Sequence, residues 1–259
     1  LSKPRVVIIG AGFGGLRAAK KLGNANVDVI LIDRNNHHLF QPLLYQVATS
    51  ALSPGDIASP IRTITRSMKN VQVIMNEAKA VDRENRRVIL EDGEIEYDYL
   101  IMAPGAKHSY FGNDMWEKYA PGLKTLSDAL DIREQILMSF EKAERLYGTH
   151  EAEKYLTFVI VGGGPTGVEM AGAVAEIGRK TMIPDFPLLK PEDIRVILVE
   201  AVDKVLMPYP EKLSEYTKKA LEDLGVEVHL SNPVTNITGE GVETEKEFIE
   251  TKNIFWAAG

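Results

Sequence analysis

Two glycine loops of one pattern, about 150 residues apart, constrain this 259-residue chain most strongly. The loops span residues 10–15 and 162–167, and each lies between an apolar run, Arg5–Ile9 or Thr157–Val161, and a helix-forming stretch. In Gly-x-Gly-x-x-Gly the first glycine makes a tight turn, the second lets a pyrophosphate approach the backbone, and the third lets helix and strand pack closely. The repeat predicts an α/β protein with two Rossmann-like dinucleotide-binding domains.

An acidic residue ends the strand that follows each loop, Asp33 after the first and Glu200 after the second. A carboxylate at this position accepts hydrogen bonds from ribose hydroxyl groups and repels the 2′-phosphate of NADP. No arginine follows Glu200, so the second site is expected to prefer NADH. Lys204 is the one nearby residue that favours NADPH, and a solvated surface position is its alternative interpretation.

The remaining pattern predicts further strands and helices. A helix is expected over Leu126–Tyr147, with Thr125 and Asp128 as a capping box. Another is expected over Val168–Ile177, and Asp92-Gly93 is a hairpin signal. The expected strands between the loops are 27–32, 71–75, 79–81, 87–90 and 94–102.

The amino-acid composition argues against several classes of function. The chain has no cysteine, which excludes disulfides, cysteine-ligated metals and redox-active thiol pairs, so a redox enzyme built from it must carry electrons on a bound cofactor. A net charge of −7 argues against nucleic acid as a partner. His37 and His38 are adjacent in an extended segment and point in opposite directions, so no metal site is expected and a structural or flavin-adjacent role is favoured.

Two dinucleotide loops in one chain suggest a flavin paired with a nicotinamide. Hydride passes from C4 of the nicotinamide to N5 of the flavin in such a pair. The protein mainly positions the two rings and excludes water. No Ser–His–Asp set is needed for this chemistry, and none is evident in the sequence.

One segment closely resembles a specific family. Residues 39–49, Leu-Phe-Gln-Pro-Leu-Leu-Tyr-Gln-Val-Ala-Thr, are similar to the segment after the first βαβ unit of type II NADH:quinone oxidoreductases. These are single-subunit NADH dehydrogenases of the respiratory chain that do not pump protons. Residues 51–62, 97–105, 162–176 and 256–259 continue the resemblance, which covers essentially the whole chain.

The resemblance implies that FAD occupies the first loop. Asp33 would bind the adenosine ribose with Arg34 nearby, and the backbone of Ala78 would reach the adenine. Pro104 departs from the Ala-Thr-Gly that the family often has there, which removes a hydroxyl and an N–H group. The implied FAD-binding residues are Gly10, Ala11, Gly12, Phe13, Gly14, Gly15, Asp33, Arg34, Thr49, Ala78, Ala103, Pro104 and Gly105.

The resemblance likewise implies that NADH occupies the second loop. Glu169 is the expected catalytic residue, close to the nicotinamide and the flavin, and its alternative role is as a partner for helix N–H groups. Ala258 and Gly259 are expected to return to the FAD site. The implied NADH-binding residues are Gly162, Gly164, Pro165, Thr166, Gly167 and Glu200.

We expect an FAD-binding domain over residues 1–117, an NADH-binding domain over 118–250, and a return to the FAD domain over 251–259. The family continues with a Gly-Asp motif, a quinone-binding segment and membrane-docking helices, so the chain is expected to be C-terminally truncated. The expected acceptor is a membrane quinone. The expected location is the membrane periphery, at its cytoplasmic face, with a homodimer as a candidate assembly.

Two other functions stay open. One is an NADH-dependent reductase of ferredoxin or rubredoxin, against which residues 40–48 argue. The other is a non-catalytic NADH-binding redox sensor, which keeps both loops and has no turnover.

Overall fold

The computed structural model describes residues 3–259. These residues form two compact units. The first unit runs up to Phe40 and resumes over Pro54–Lys107, and the second comprises Gln41–Ser53 and His108–Gly259. Each unit is built around its own parallel sheet.

Both units mix strands and helices in the order that an α/β fold requires. Within residues 3–259 the strands are β1 (Arg5–Ile9), β2 (Asp28–Asp33), β3 (His37–Leu39), β4 (Ala58–Pro60), β5 (Val71–Met75), β6 (Ala78–Asp82), β7 (Arg87–Leu90), β8 (Glu94–Glu96), β9 (Tyr99–Met102), β10 (Thr157–Val161), β11 (Arg195–Val199), β12 (Val226–His229), β13 (Val234–Thr238), β14 (Gly241–Thr244), β15 (Phe248–Glu250) and β16 (Asn253–Trp256). The α-helices of the same residues are α1 (Phe13–Leu22), α2 (Leu44–Ala48), α3 (Pro54–Ile57), α4 (Ile61–Thr65), α5 (Leu126–Arg145), α6 (His150–Leu156), α7 (Pro165–Glu176) and α8 (Glu211–Asp223).

The sheet of the first unit has the strand order β5-β2-β1-β9, and all its pairs are parallel. Strand β1 is apolar throughout its interior because a parallel strand is covered on both faces, and Val7 and Ile8 are fully buried. Its register pairs Ile9 with Ile32. The first glycine loop and Asp33 therefore leave the sheet side by side at its carboxyl edge, where α/β folds bind ligands.

The second unit repeats this architecture. Its sheet has the order β12-β11-β10-β16, again all parallel, so each strand has a counterpart in the first unit. A three-stranded antiparallel sheet is inserted before the last strand of both: β6-β7-β8 before β9, and β13-β14-β15 before β16. The predicted internal duplication and the two-domain Rossmann-like fold class are confirmed.

The prediction of one strand over residues 94–102 is wrong. The segment forms β8, which completes the antiparallel sheet, and β9, which joins the parallel sheet. The chain changes sheets at Tyr97 and Asp98, whose N–H groups donate to the carbonyls of Arg86 and Arg5. The hairpin predicted at Asp92-Gly93 does join β7 to β8.

The units also divide at positions other than the expected boundaries of 117 and 251. Residues 41–53 belong to the second unit because α2 packs against α5 and α7 there, with Val47 and Ala48 fully buried. Residues 251–259 belong to it as well, because β16 pairs in parallel with β10. The long helix α5 begins with the predicted capping box, in which Thr125 Oγ1 accepts from Asp128 N–H.

None of the helices in the described part of the chain has the length and apolar character that crossing a bilayer requires.

Asn253 connects three elements of the second unit, and its loss is expected to destabilise the fold. Its side chain is fully buried; Nδ2 donates to Tyr155 O at 2.8 Å, and Oδ1 accepts from Ser139 Oγ at 2.7 Å. Asn253→Ala leaves the buried carbonyl of Tyr155 without its donor and opens a cavity beside Ser139, whose hydroxyl can still donate to Gln135 O, so the free energy of unfolding in urea should fall by about 2 kcal/mol. Asn236→Ala, on the exposed face of β13, is the control and should cost less than about 1 kcal/mol. Equal losses in the two variants would contradict this role.

Candidate functional site

Each glycine loop turns at its first glycine. Gly10 has φ +96° and Gly162 has φ +110°, in the region that favours glycine. The Gly10 N–H donates to Ile32 O at 2.7 Å, and the Gly162 N–H donates to Val199 O at 2.8 Å. Each turn is thus bonded to the neighbouring strand, one residue before the acidic residue.

The third glycine of each loop lies under the carbonyl of the first. A Cβ atom on Gly15 would lie 1.7 Å from Gly10 O, and one on Gly167 would lie 1.8 Å from Gly162 O. No side chain fits at either place. The helix that follows each loop can therefore approach its strand only because this position is glycine.

The second glycines face open space. A Cβ atom on Gly12 or Gly164 would meet nothing within 4 Å in the structure. These two residues precede α1 and α7, and neither helix has a side-chain cap at this end. The free N–H groups and the positive end of the helix dipole favour an anion there. The residues therefore fit a pyrophosphate at both loops.

The two acidic residues bind the backbone of their loops. Asp33 Oδ2 accepts from Ala11 N–H at 2.6 Å, and Glu200 Oε2 accepts from Gly163 N–H at 2.5 Å. The other oxygen accepts from the following turn, from Asn35 N–H in the first unit and Val202 N–H in the second. A carboxylate oxygen accepts two bonds, so both acids retain acceptors for ribose hydroxyls.

Several other residues expected at the first site do lie against this loop. Ala103 packs on Gly10 and Gly14: its carbonyl lies 2.1 Å from a Cβ built on Gly10, and its own Cβ lies 3.6 Å from one built on Gly14. The Cα atom of Pro104 lies 3.4 Å from a Cβ built on Gly10, and Gly105 has φ +76°.

The adenosine end of the predicted site lies along the same strand edge. Asp33 O accepts from Asn76 N–H, two residues before Ala78 begins β6. Arg34 is exposed beside it. Phe13, the first residue of α1, is half exposed and makes edge contacts with His38 and Phe40.

Ala258 lies against the second loop. A Cβ on Gly162 would lie 2.8 Å from Ala258 N, and Gly259, at φ +91°, packs on the backbone of Ser109. Both residues belong to the second unit. Their expected contact with FAD stays a prediction.

Glu169 lines a cavity of about 610 Å³ between α2, α7 and α8 of the second unit. That volume suits a small organic molecule, for which about 300–1,000 Å³ is usual. Partial desolvation by the cavity walls raises the pKa of the Glu169 carboxyl. The rest of the wall combines a few polar groups with mainly apolar ones: Tyr45, Gln46, Thr49, Ser50, Ala51, Val168, Gly172, Ala173, Glu176, Ile177, Thr181, Tyr216, Thr217, Ala220, Leu221 and Leu224.

Thr49 has a local role that the sequence did not predict. It is buried, ends α2, and its Oγ1 donates to Tyr45 O at 2.9 Å. Pro165 and Thr166 open α7, Pro165 as its first residue, where the missing N–H costs nothing.

Two further residues hold the loops, one of which, His38, is expected from the sequence to have a structural or flavin-adjacent role, while Leu206 is not singled out. His38 Nδ1 lies 3.1 Å from Ala11 O, and Leu206 N–H donates to Gly163 O at 2.7 Å. No local pattern marks either contact. The spacing of His38, five residues after Asp33, is the one signal that places it near the carboxyl edge of the sheet.

The model of the family described as pyridine nucleotide-disulphide oxidoreductase matches residues 4–259. The chain belongs to this family. Since the chain has no cysteine, the disulphide in the family name has no counterpart among its residues.

Particular relatives within this family confirm the resemblance to type II NADH:quinone oxidoreductases. The chain is 46% identical to the type II NADH:quinone oxidoreductase Ndh of Mycobacterium tuberculosis, over 98% of this chain and 57% of that protein. It is 31% identical to the mitochondrial external alternative NADH-ubiquinone oxidoreductase of Yarrowia lipolytica, over 100% of this chain and 48% of that protein. NDH2 from Plasmodium falciparum in complex with NADH matches with a TM-score of 0.90 at 26% identity, over 99% of this chain and 55% of that one. The chain spans about half the length of the relatives it matches.

The glycine contacts predict a large effect for one alanine substitution in the first loop and a small effect for another. Gly15→Ala should lower the free energy of unfolding by roughly 2–3 kcal/mol, because its Cβ meets a backbone carbonyl that cannot move freely. Gly12→Ala, at φ −71° and facing open space, should cost less than about 1 kcal/mol. Urea unfolding of the ligand-free protein measures both. Similar losses in the two variants would contradict the assigned packing.

The raised pKa of Glu169 predicts a pH-dependent effect of Glu169→Gln. Below the ordinary pKa of 4.5 the carboxyl is neutral in the folded and the unfolded chain, so the substitution should leave the melting temperature unchanged. As the pH rises through the ordinary and then the raised pKa, charge disfavours the folded state. The variant should therefore melt above the wild type at pH 7 and together with it at pH 4.

The matched control is Glu176→Gln, on the same cavity wall, which loses an exposed ion pair to Lys180 at 3.2 Å. It should match the wild type at both pH values. A Glu169→Gln variant that melts below the wild type at pH 7 would count against partial desolvation of this carboxyl.

Proposed function

We propose that this chain carries the two dinucleotide sites of an NADH:quinone oxidoreductase, with FAD at the first loop and NADH at the second. The proposed reaction is NADH + H⁺ + quinone → NAD⁺ + quinol. The observation that carries the proposal is the duplicated loop. Each copy has an open second glycine, an uncapped helix end and an acidic residue bonded to the loop backbone.

The names of the relatives support the assignment of ligands. Those from Mycobacterium tuberculosis and Yarrowia lipolytica are named as NADH:quinone or NADH-ubiquinone oxidoreductases, and the structure from Plasmodium falciparum is a complex with NADH. FAD, when bound, supplies a two-electron carrier between the nicotinamide and the quinone. Gly12, Asp33 and the backbone near Ala78 are the groups proposed to hold it.

NADH rather than NADPH is the proposed donor because of Glu200. Its carboxylate would accept from a free 2′-hydroxyl and would repel a 2′-phosphate. Lys204, the one residue that argued for NADPH, is paired with a carboxylate: its Nζ lies 3.3 Å from Glu211 Oε2. That pairing supports the surface interpretation of the lysine.

Glu169 is proposed to position the nicotinamide. It follows the second loop by two residues on α7 and lines the cavity there. Its carboxyl oxygens are hydrogen-bond acceptors, and the amide N–H group of a nicotinamide carboxamide is a donor that they can bind.

Contact with the membrane periphery is proposed because the named acceptor of the relatives is a quinone, and quinones with apolar tails are carried in the lipid bilayer.

Anaerobic titration with NADH tests the proposal. Protein supplied with FAD should lose its visible flavin absorbance on addition of one equivalent of NADH and regain it with a quinone. NADPH at the same concentration should act more slowly, because Glu200 disfavours it. A bound flavin that stays oxidised under excess NADH would overturn the oxidoreductase and support the redox sensor. Reoxidation by a ferredoxin in preference to a quinone would support the ferredoxin reductase.

A further inference from the structure

The peptide group between Ala11 and Gly12 is held at its oxygen by a histidine side chain. His38 Nδ1 lies 3.1 Å from Ala11 O. The N–H of the same alanine donates to Asp33 Oδ2 at 2.6 Å. Both backbone polar groups of Ala11 are thus bound by side chains, one from the last residue of β2 and one from β3.

The chemistry of this contact fixes which atom carries the proton. A carbonyl oxygen only accepts hydrogen bonds, so Nδ1 of His38 must carry the hydrogen and donate. Strand β3 holds the ring in place through its antiparallel pairing with β4, where His38 faces Ser59. The ring also meets Phe13 edge-on, with centroids 5.1 Å apart and planes at 88°.

The hydrogen bond from His38 also sets the orientation of the next N–H group, that of Gly12. The described chain contains no cis peptide, so the Ala11 carbonyl and the Gly12 N–H belong to one rigid plane and point in opposite directions. A hydrogen bond that fixes the carbonyl therefore also fixes the direction of the N–H. Within residues 3–259 no group accepts a hydrogen bond from Gly12 N–H, and Gly12 faces the open space of the loop.

The second loop holds the corresponding peptide in a different way. Glu200 Oε2 accepts from Gly163 N–H at 2.5 Å, as Asp33 does in the first loop. The Gly163 carbonyl, however, accepts from the backbone N–H of Leu206 at 2.7 Å. Leu206 adopts φ +52°, an uncommon conformation for a leucine. Two unrelated donors therefore restrain the same peptide in the two loops, which argues that its orientation matters for binding.

We propose that His38 is a positioning residue for the FAD site: by donating to Ala11 O, it aims the Gly12 N–H at the pyrophosphate of the dinucleotide. The inference rests on the proposed function, because it takes FAD as the ligand of the first loop. The second loop has no side chain in this role, so substitution of His38 affects one dinucleotide and spares the other.

Four variants separate the hydrogen bond from the packing of the ring. H38A removes both. H38F keeps an aromatic ring against Phe13 and removes the donor. H38N removes the ring and places an amide N–H near the position of Nδ1. H37A is the matched control, since the neighbouring His37 contacts Asn36 at 3.1 Å and not the loop.

The readout is the dissociation constant of FAD, measured by quenching of flavin fluorescence when flavin-free protein is titrated with FAD. H38A and H38F should bind FAD about tenfold more weakly than the wild type, the effect of about one hydrogen bond to a phosphate group. H38N should recover to within about threefold of the wild type, and H37A should match it. The dissociation constant of NADH should be unchanged in all four.

Each contrary result has a separate meaning. H38F that binds FAD like the wild type, or H38N that binds as weakly as H38A, would overturn the role of the hydrogen bond. Equal weakening of NADH would show a general structural effect and would also overturn it. A wild-type chain that binds no FAD would overturn the proposed function itself. If H38A does not fold, the comparison of H38N with H38F decides the question.

Discussion

The close approach of the first and third glycines is the contact on which both halves of this protein depend. With the carbonyl of Gly10 or Gly162 less than 2 Å from where a Cβ would stand on Gly15 or Gly167, the loop closes only around bare backbone. That closure brings the start of the helix to the carboxyl edge of the sheet. The uncapped N–H groups then face the same space as the second glycine. A structural requirement of the fold and the electrostatics of an anion site are therefore met by the same few atoms.

The acidic residues have a second role that follows from this closure. Asp33 and Glu200 are expected ligands of ribose, yet each already accepts a hydrogen bond from its own loop. A substitution of either acid would therefore change both the shape of the loop and the recognition of the nucleotide.

Local patterns were sufficient to predict much of this architecture. Apolar runs followed by glycine gave β1 and β10 with their correct ends, because buried parallel strands leave a continuous hydrophobic signal. The same signal failed over residues 94–102, where only Tyr97 and Asp98 separate two strands of different sheets. The assignment of residues 41–53 to the second unit depends on the packing of α2 against distant helices, which no local pattern contains.

The residues of the candidate site also fall into those that a local sequence pattern predicts and those that it does not. The first and third glycines are recognisable because their backbone geometry admits few other residues, and the two acids because each ends the strand that follows its loop. The contacts that His38 and Leu206 make with the loops cannot be recognised in the sequence, because each loop lies far from the residue along the chain and approaches it only in the folded protein. The Leu206 contact is made by the backbone, so its side chain carries no signal at all.

We propose that one chain binds two dinucleotides independently. Native mass spectrometry of the protein with FAD and NAD⁺ tests it directly, since NAD⁺ leaves the flavin oxidised. We expect a complex that contains one FAD and one NAD⁺ per chain, with neither ligand displacing the other. Mutually exclusive binding, or a single dinucleotide per chain at saturation of both, would contradict it.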